Sequence, residues 1–172
     1  HDKDGIIESG DGDFVRFVVG MRRGGRNYYA LDVTDRDAPE LMWTIKGGQG
    51  SFVELGQSWS QPVKGAVDIN GTIKDVFYFA GGYDEDQDDT TLRAVDTVGR
   101  AIYMVDAATG ALIWSGGSDN SYTETYSDML YSMPADIAVV DINSSGTDNM
   151  LFVGDMGGQL WRFDINNGAS SA

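Results

Sequence analysis

Carboxylates are the most frequent groups in this sequence that could do chemistry. Residues 84–89 read Asp-Glu-Asp-Gln-Asp-Asp, and further acidic side chains stand at short spacing in residues 2–8 and 11–13. Adjacent carboxylates repel one another unless a cation or water screens them. Such a run is therefore either a contact for a metal cation or a solvated surface loop, and both interpretations stay open. The two N-terminal stretches lack a complete metal-loop pattern.

The residues that common catalytic arrangements need are missing. The sole histidine is His1, and cysteine is absent, which excludes thiol nucleophiles and zinc–thiolate sites. Residues 56–60 contain a serine after Gly-Gln but lack the closing glycine of a nucleophile elbow. Residues 10–15 do not complete a dinucleotide-binding fingerprint. The sequence therefore predicts a protein that is not an enzyme.

Composition narrows the classes of partner. The chain has 172 residues, a formal net charge of -15 and 41% hydrophobic residues, which is typical of a globular domain with a packed core. An acidic surface repels phosphate backbones and anionic lipid headgroups, so we expect no nucleic-acid partner. No stretch of about 18 apolar residues is present, so we expect no membrane insertion.

One short sequence motif occurs three times, and each copy places an aspartate at the end of a predicted strand. Residues 28–32, 102–106 and 160–164 each alternate large side chains and end in aspartate. This alternation is typical of a half-buried strand that runs into a turn. After the first two copies a return segment ends in Trp43 and in Trp114. The phrase therefore predicts a pair of strands joined by a turn that begins with aspartate.

A second phrase, Ser-x-Pro, precedes two of the copies at residues 60–62 and 132–134. Together the phrases predict units of four short strands, at about 14–45, 58–115 and 132–168. The first unit lacks its opening strand and the third lacks its closing strand. Four antiparallel strands per repeat are typical of a propeller blade. A seven-stranded sandwich is the alternative, but it would not require the same ordered phrases to recur.

The sequence thus predicts an all-β, quinoprotein-like partial β-propeller, incomplete at both ends, with residues 1–172 forming a single propeller fragment. A closed propeller needs about four to eight blades, and exposed strand edges are an aggregation hazard. We therefore expect the remaining blades of a parent chain, or a partner, to cover the edges. The opening at His1, without a start methionine or leader, agrees with a processed or partial chain.

Four segments in this order resemble the C-terminal propeller of PilY/PilC-type proteins, which are tip-associated adhesins and biogenesis factors of type IV pili. The segments are 25–35, 81–84, 99–106 and 153–164. The resemblance covers nearly the whole chain from about Phe14 onward. It implies an extracytoplasmic protein at the pilus tip or outer-membrane surface, with a pilus or minor-pilin partner and a host or surface receptor that the sequence does not name.

The resemblance also implies a calcium site. The family carries a loop of the form Asp-x-Asn-x-Asp-Gly-x-x-Asp, and residues 141–149 stand at the matching place. The implied calcium ligands are Asp141, Asn143, Ser145, the backbone carbonyl of Thr147, and Asn149. Ser145 and Asn149 replace family aspartates, and each lost charge weakens such a site. The alternative is a polar turn, because residues 68–71 begin in the same way and are too short to bind a metal.

The resemblance therefore implies a module for pilus biogenesis or tip adhesion that acts by binding and is modulated by calcium. Two alternatives remain. Residues 106–114 resemble a blade phrase of quinone-dependent dehydrogenases, and a non-catalytic scaffold for outer-membrane assembly would use the same fold. Trp43, Trp59, Trp114 and Trp161 could stack a sugar or a quinone. All except Trp59 occupy repeat positions, where packing between blades is the favoured interpretation.

Overall fold

The computed structural model describes residues 7, 10, 12–92 and 94–165, and within them it contains eleven β-strands in three sheets. The first sheet has the order β1 (Arg16–Gly20), β2 (Tyr28–Asp32), β3 (Glu40–Ile45). The middle sheet has the order β4 (Val63–Ile69), β5 (Thr72–Ala80), β6 (Ala101–Asp106), β7 (Leu112–Gly117), β8 (Glu124–Thr125). The third sheet contains β9 (Ala138–Val140), β10 (Met150–Gly154) and β11 (Leu160–Asp164), with β10 in the centre. The predicted all-β class is confirmed.

Each sheet is a meander in which strands adjacent in sequence pair antiparallel, with β7 and β8 as the exception. The two residues of β8 pair parallel to Gly116 and Gly117 of β7 and extend the middle sheet beyond its four predicted strands. A two-residue strand carries no periodicity, so no sequence pattern indicates it. The first and third sheets have three strands each, as predicted. The division at about 14–45, 58–115 and 132–168 stays a prediction, and residues 166–168 lie outside the described part.

In the stretches 12–92 and 94–165 helical structure is limited to short 3₁₀ helices at Gly50–Phe52 and Glu85–Asp89. In these same stretches no helix has the length and the apolar character that crossing a membrane requires.

The middle sheet packs against both other sheets. Because side chains alternate across a strand, Ala101, Tyr103 and Val105 of β6 enter one apolar cluster with the first sheet. Ile102 and Met104, between them, enter a second cluster with the third sheet. All five are at most 8% exposed. The prediction of a half-buried strand at residues 102–106 is therefore wrong: β6 is buried on both faces, as its run of apolar residues from Ala101 to Val105 allows.

Large aromatic side chains form the contacts between sheets. Tyr28 of the first sheet lies 4.6 Å from Phe79 of the middle sheet, measured between ring centroids. On the opposite face Trp114 lies 6.1 Å from Phe163 of the third sheet in an edge-to-face arrangement. Each buried aromatic side chain contributes about 1.5–3 kcal/mol to the free energy of unfolding. These rings therefore bind the three sheets into one body.

Trp43 packs against the turn that follows the second copy of the repeated phrase, between β6 and β7. Its indole Nε1 donates a hydrogen bond of 3.1 Å to the carbonyl of Ala107, in the turn between β6 and β7. Gly110 closes that turn with φ +70°, and a Cβ there would stand 2.7 Å from Cδ2 of Trp43. Trp43 and Trp114 are each 8% exposed, which confirms that they pack in the core. The turn is thus shaped to receive the tryptophan of the preceding sheet.

The sheets have two ends with different connections. We call the upper end the side where β1, β5 and β10 end, and there isolated bridges join Arg22 to Ser58, Gln57 to Tyr83, and Gly82 to Met133. We call the lower end the opposite side, which carries the β4–β5 turn, the β6–β7 turn and the β9–β10 loop. Backbone pairing at the upper end adds to the aromatic packing between the sheets.

Candidate functional site

The loop predicted to bind calcium joins β9 to β10 at the lower end. Asp141 organises it: Oδ1 accepts a hydrogen bond from the backbone N of Ser145 at 3.1 Å, and Oδ2 accepts one from Gly146 at 2.8 Å. Several backbone hydrogen bonds lower the pKa of Asp141 below its ordinary value, and the one from the N–H of Gly146 has the largest effect. Gly146 has φ +84°, a conformation that glycine adopts without strain. The bend predicted at Gly146 is therefore present.

The other implied ligands lie in the same loop and contact its backbone. Oδ1 of Asn143 accepts from the backbone N of Ser145 at 3.2 Å, and Oγ of Ser145 donates to the Thr147 carbonyl at 3.3 Å. Asn149, which is 6% exposed, accepts from the backbone N of Ile142 at 2.9 Å through Oδ1. All five residues are thus brought together, and their oxygens stabilise the turn itself.

This donor set fits calcium in chemistry but carries little charge. Calcium binds six to eight oxygens, and the loop supplies carboxylate, amide, hydroxyl and carbonyl oxygens that can accept further contacts. Asp141 is the single carboxylate among the five residues. Among the described residues no group of three or more acidic or histidine side chains could hold a metal. A calcium ion in this loop would therefore be held mainly by neutral oxygens.

Asp148, in the same loop, binds the middle sheet instead. Its Oδ2 accepts hydrogen bonds from the backbone N of Ala66 at 2.8 Å and from the Tyr78 hydroxyl at 3.2 Å. Burial is the main reason why the pKa of Tyr78 is raised, and the Asp148 carboxylate raises it further. Local sequence could not reveal this role, because the partners lie on β4 and β5, at least 70 residues earlier.

The acidic run 84–89 proves to be a connection within the fold. Asp84 is 2% exposed, and its Oδ2 accepts hydrogen bonds from the backbone N of Thr97 at 2.7 Å and of Val98 at 3.2 Å. Oδ1 accepts from the backbone N of Asp86 at 3.1 Å and so caps the short helix Glu85–Asp89. The buried carboxylate thereby joins the two ends of the long β5–β6 connection.

Two further carboxylates of the run pair with arginines of the β1–β2 connection. Asp88 lies 2.5 Å from Arg23, and Glu85 lies 3.6 Å from Arg26. The pKa of Asp88 is lowered, first by the Tyr83 hydroxyl and then by Arg23. The run thus links the first and middle sheets, so a purely solvated loop does not describe it. The acidic stretches 2–8 and 11–13 fall mostly outside the described residues.

Repeated meanders that pack face to face, with a tryptophan of one sheet against the aspartate turn of the next, define the class as a β-propeller module. A family model described as the PilY1 beta-propeller domain matches residues 5–172. The chain therefore belongs to the PilY1 β-propeller domain family. The resemblance to PilY/PilC-type proteins and the prediction of a partial propeller are both confirmed.

Relatives share most of this chain. It is 30% identical over 148 residues to the type IV pilus biogenesis factor PilY1 of Pseudomonas aeruginosa PAO1, an alignment that covers 86% of this chain and 11% of the relative. A PilY1 homolog of Xylella fastidiosa is 27% identical over 164 residues, which covers 91% of this chain and 10% of the homolog. The chain therefore spans about a tenth of the length of these relatives.

A solved structure agrees with the fold. The crystal structure of the Pseudomonas aeruginosa PilY1 C-terminal domain superposes with a TM-score of 0.63 at 26% sequence identity. The superposition covers 90% of this chain and 27% of that domain. The three sheets therefore correspond to about a quarter of that longer domain.

The hydrogen bonds to Asp84 predict how stability depends on pH. Burial raises the pKa of Asp84, but the N–H groups of Thr97, Asp86 and Val98 and the Thr97 hydroxyl together lower it below its ordinary value. A lowered pKa in the folded state stabilises the fold above the unfolded pKa of about 3.9, and this contribution disappears as the pH falls through the folded value. Asp84→Asn should lower the free energy of unfolding by about 1–3 kcal/mol at pH 7, because buried N–H donors lose their acceptor.

Urea unfolding between pH 7 and pH 2 measures this effect, and the difference from the unsubstituted chain should narrow below about pH 4. Asp86→Asn is the matched control, since Asp86 is exposed in the same short helix and should change stability by less than about 0.5 kcal/mol. Equal stability of the two variants at pH 7 would contradict the role given to Asp84.

Proposed function

We propose that this chain takes part in type IV pilus biogenesis and tip adhesion, and that it acts by binding rather than by catalysis. The family match over residues 5–172 carries the proposal, together with relatives that are named as type IV pilus biogenesis factors. The corresponding location is extracytoplasmic, at the pilus tip or the outer-membrane surface. Because the chain spans about a tenth of those relatives, the role concerns one module of such a protein.

Exposed apolar residues on the outer faces support a partner at each side. On the first sheet Phe17 and Leu41 lie on the face away from the middle sheet, and they are 46% and 62% exposed. On the third sheet Val140 and Leu160 occupy the corresponding outer face, 37% and 76% exposed. In a propeller such faces pack against neighbouring blades. We assign them to further blades of a parent chain, with a minor pilin as the alternative occupant.

The alternative of a quinone-dependent dehydrogenase rests on the sequence of residues 106–114. Asp106 caps its own turn through Oδ1, which accepts from the backbone N of Ala108 and of Thr109 at 3.0 Å each. Gly110 and Trp114 pack between sheets. Turn capping by Asp106 and packing of Gly110 and Trp114 give these three residues structural roles, and we favour the binding role.

Deletion of the gene that encodes this chain in its own host tests the pilus role. We expect loss of surface pili in electron micrographs and loss of twitching motility, both restored by the intact gene. Outer-membrane protein profiles should stay unchanged, because a pilus factor has no general role in assembling them. Normal piliation combined with a disturbed outer-membrane profile would contradict the proposal and favour the scaffold alternative.

We also propose that loop 141–149 binds calcium weakly through Asp141, Asn143, Ser145, Thr147 and Asn149. The supporting observation is that these oxygens already surround one tight turn whose bend is made at Gly146. Because the loop has a single carboxylate, its dissociation constant for calcium should lie in the range of about 10⁻⁴–10⁻³ M that is typical of extracellular calcium modules. Calcium would then hold the β9–β10 connection in the shape seen here.

Calorimetric titration of the full chain with calcium measures this site. We expect weak binding that Asp141→Asn abolishes, because the substitution removes the one negative charge among the ligands. Asp68→Asn is the matched control: Asp68 begins the similar but shorter turn 68–71 and should leave binding unchanged. Absence of heat and of any calcium-dependent shift in melting temperature would contradict the proposal.

A further inference from the structure

Trp59 is the one tryptophan that does not occupy a repeat position, and it lies half-buried at the upper end. Its Nε1 donates a hydrogen bond of 3.1 Å to Oε1 of Gln57, which is itself 5% exposed. The guanidinium carbon of Arg22 stands 5.5 Å from the centroid of the indole ring. A ring held at its polar edge and by a cation is pre-oriented, which lowers the entropic cost of binding a ligand.

An open cleft of about 180 Å³ adjoins this ring. Its walls come from connections around all three sheets: Arg23 follows β1, Tyr83 and Asp88 follow β5, and Pro134 precedes β9. Three of the lining side chains, Trp59, Tyr83 and Pro134, present flat apolar surfaces. Arg23 and Asp88 contribute polar groups beside them. The cleft therefore combines apolar platforms with a few fixed hydrogen-bonding groups, as small-ligand sites do.

The polar pair in the cleft is ordered by its own contacts. Oδ1 of Asp88 accepts from the Tyr83 hydroxyl at 2.9 Å, and Oδ2 accepts from Nη2 of Arg23 at 2.5 Å. A carboxylate offers about four acceptor positions and a guanidinium five donors, so both groups keep capacity for a ligand. An acceptor and a donor held side by side match a pair of adjacent hydroxyl groups.

Charge selects the class of ligand. Arg22 and Arg23 disfavour a cation at the cleft, although its aromatic rings alone would suit one. Asp88 and the neighbouring Glu85 disfavour a polyanion, as does the net charge of -15. A neutral ligand with both an apolar face and hydroxyl groups meets neither penalty. Sugars have this chemistry, since the C–H face of a pyranose packs on an aromatic ring and its hydroxyls both donate and accept.

We propose that the cleft of Arg23, Trp59, Tyr83, Asp88 and Pro134 binds a neutral oligosaccharide, with one sugar ring stacked on Trp59 and its hydroxyls bound by Asp88 and Arg23. The inference rests on the adhesive part of the proposed function and gives it a ligand class. It is independent of the calcium loop, which lies at the lower end.

Binding of the full chain to immobilised neutral hexose oligosaccharides, with sialylated oligosaccharides alongside, tests the proposal. We expect binding to the neutral set, weakened at least about tenfold by Trp59→Ala because the stacking surface is lost. Trp59→Phe keeps a ring and should retain most of the binding. Tyr131→Ala is the matched control: Tyr131 occupies the equivalent place before the second Ser-x-Pro phrase, its ring lies beside Gly157, and it is not among the residues that line the cleft.

Asp88→Asn removes the carboxylate proposed to bind a hydroxyl group and, with it, the ion pair to Arg23, so a variant that breaks only an ion pair serves as the comparison. Asp88→Asn should weaken binding, whereas Arg26→Ala, which breaks the other ion pair between the same connections, should not. Absence of binding to any neutral oligosaccharide, preference for the sialylated set, or equal loss in Trp59→Ala and Tyr131→Ala would each overturn the proposal. Piliation in the deletion strain is scored separately: pili that depend on the gene while the chain binds no sugar would refute this inference alone, whereas sugar binding with normal piliation in the deletion strain would refute the pilus role alone.

Discussion

Burial of the middle sheet on both faces is the constraint on which the rest of this structure depends. The central strands β5 and β6 send alternate side chains into two separate apolar clusters, one shared with each neighbouring sheet. Tyr78 and Phe79 are adjacent in sequence and almost completely buried, yet they belong to different clusters. Removal of either neighbouring sheet would expose one whole face of large aromatic and aliphatic side chains. The three sheets therefore stabilise one another, and face-to-face stacking of this kind is what a propeller repeats.

The connections between strands differ at the two ends of the sheets: short turns lie at the lower end and the long β5–β6 connection lies at the upper end. At the lower end short aspartate-led turns receive tryptophan or bind their own backbone, as Asp106 and Asp141 do. At the upper end the long β5–β6 connection is fixed by buried Asp84 and by ion pairs with the first sheet. Long connections on a rigid scaffold are where proteins place binding groups. This is why the cleft beside Trp59 lies at the upper end, whereas loop 141–149 at the lower end, which we propose as a calcium site, forms a single connection between β9 and β10.

Local patterns predicted the strands well because alternation and turn chemistry are local properties. The phrase ending at Asp32, Asp106 and Asp164 marks β2, β6 and β11, and the missing strands of the outer sheets followed from its order. Contacts between distant segments could not be read in this way. Asp148 binds Ala66, and Arg23 binds Asp88, across 82 and 65 residues respectively. For the same reason the acidic run 84–89 resembles a cation site or a solvated loop in sequence, since its arginine partners lie in the β1–β2 connection of another sheet.

Hydrogen exchange of the backbone amides, followed by mass spectrometry on the full chain, tests the mutual stabilisation of the sheets most directly. If the middle sheet is buried on both sides, the amides of β5 and β6 should be the slowest to exchange and should share one rate, set by global unfolding. The edge strands β1 and β11 should exchange faster through local opening. Exchange in β5 and β6 that is as fast as in β1 and β11, or that occurs at two unrelated rates, would contradict the account.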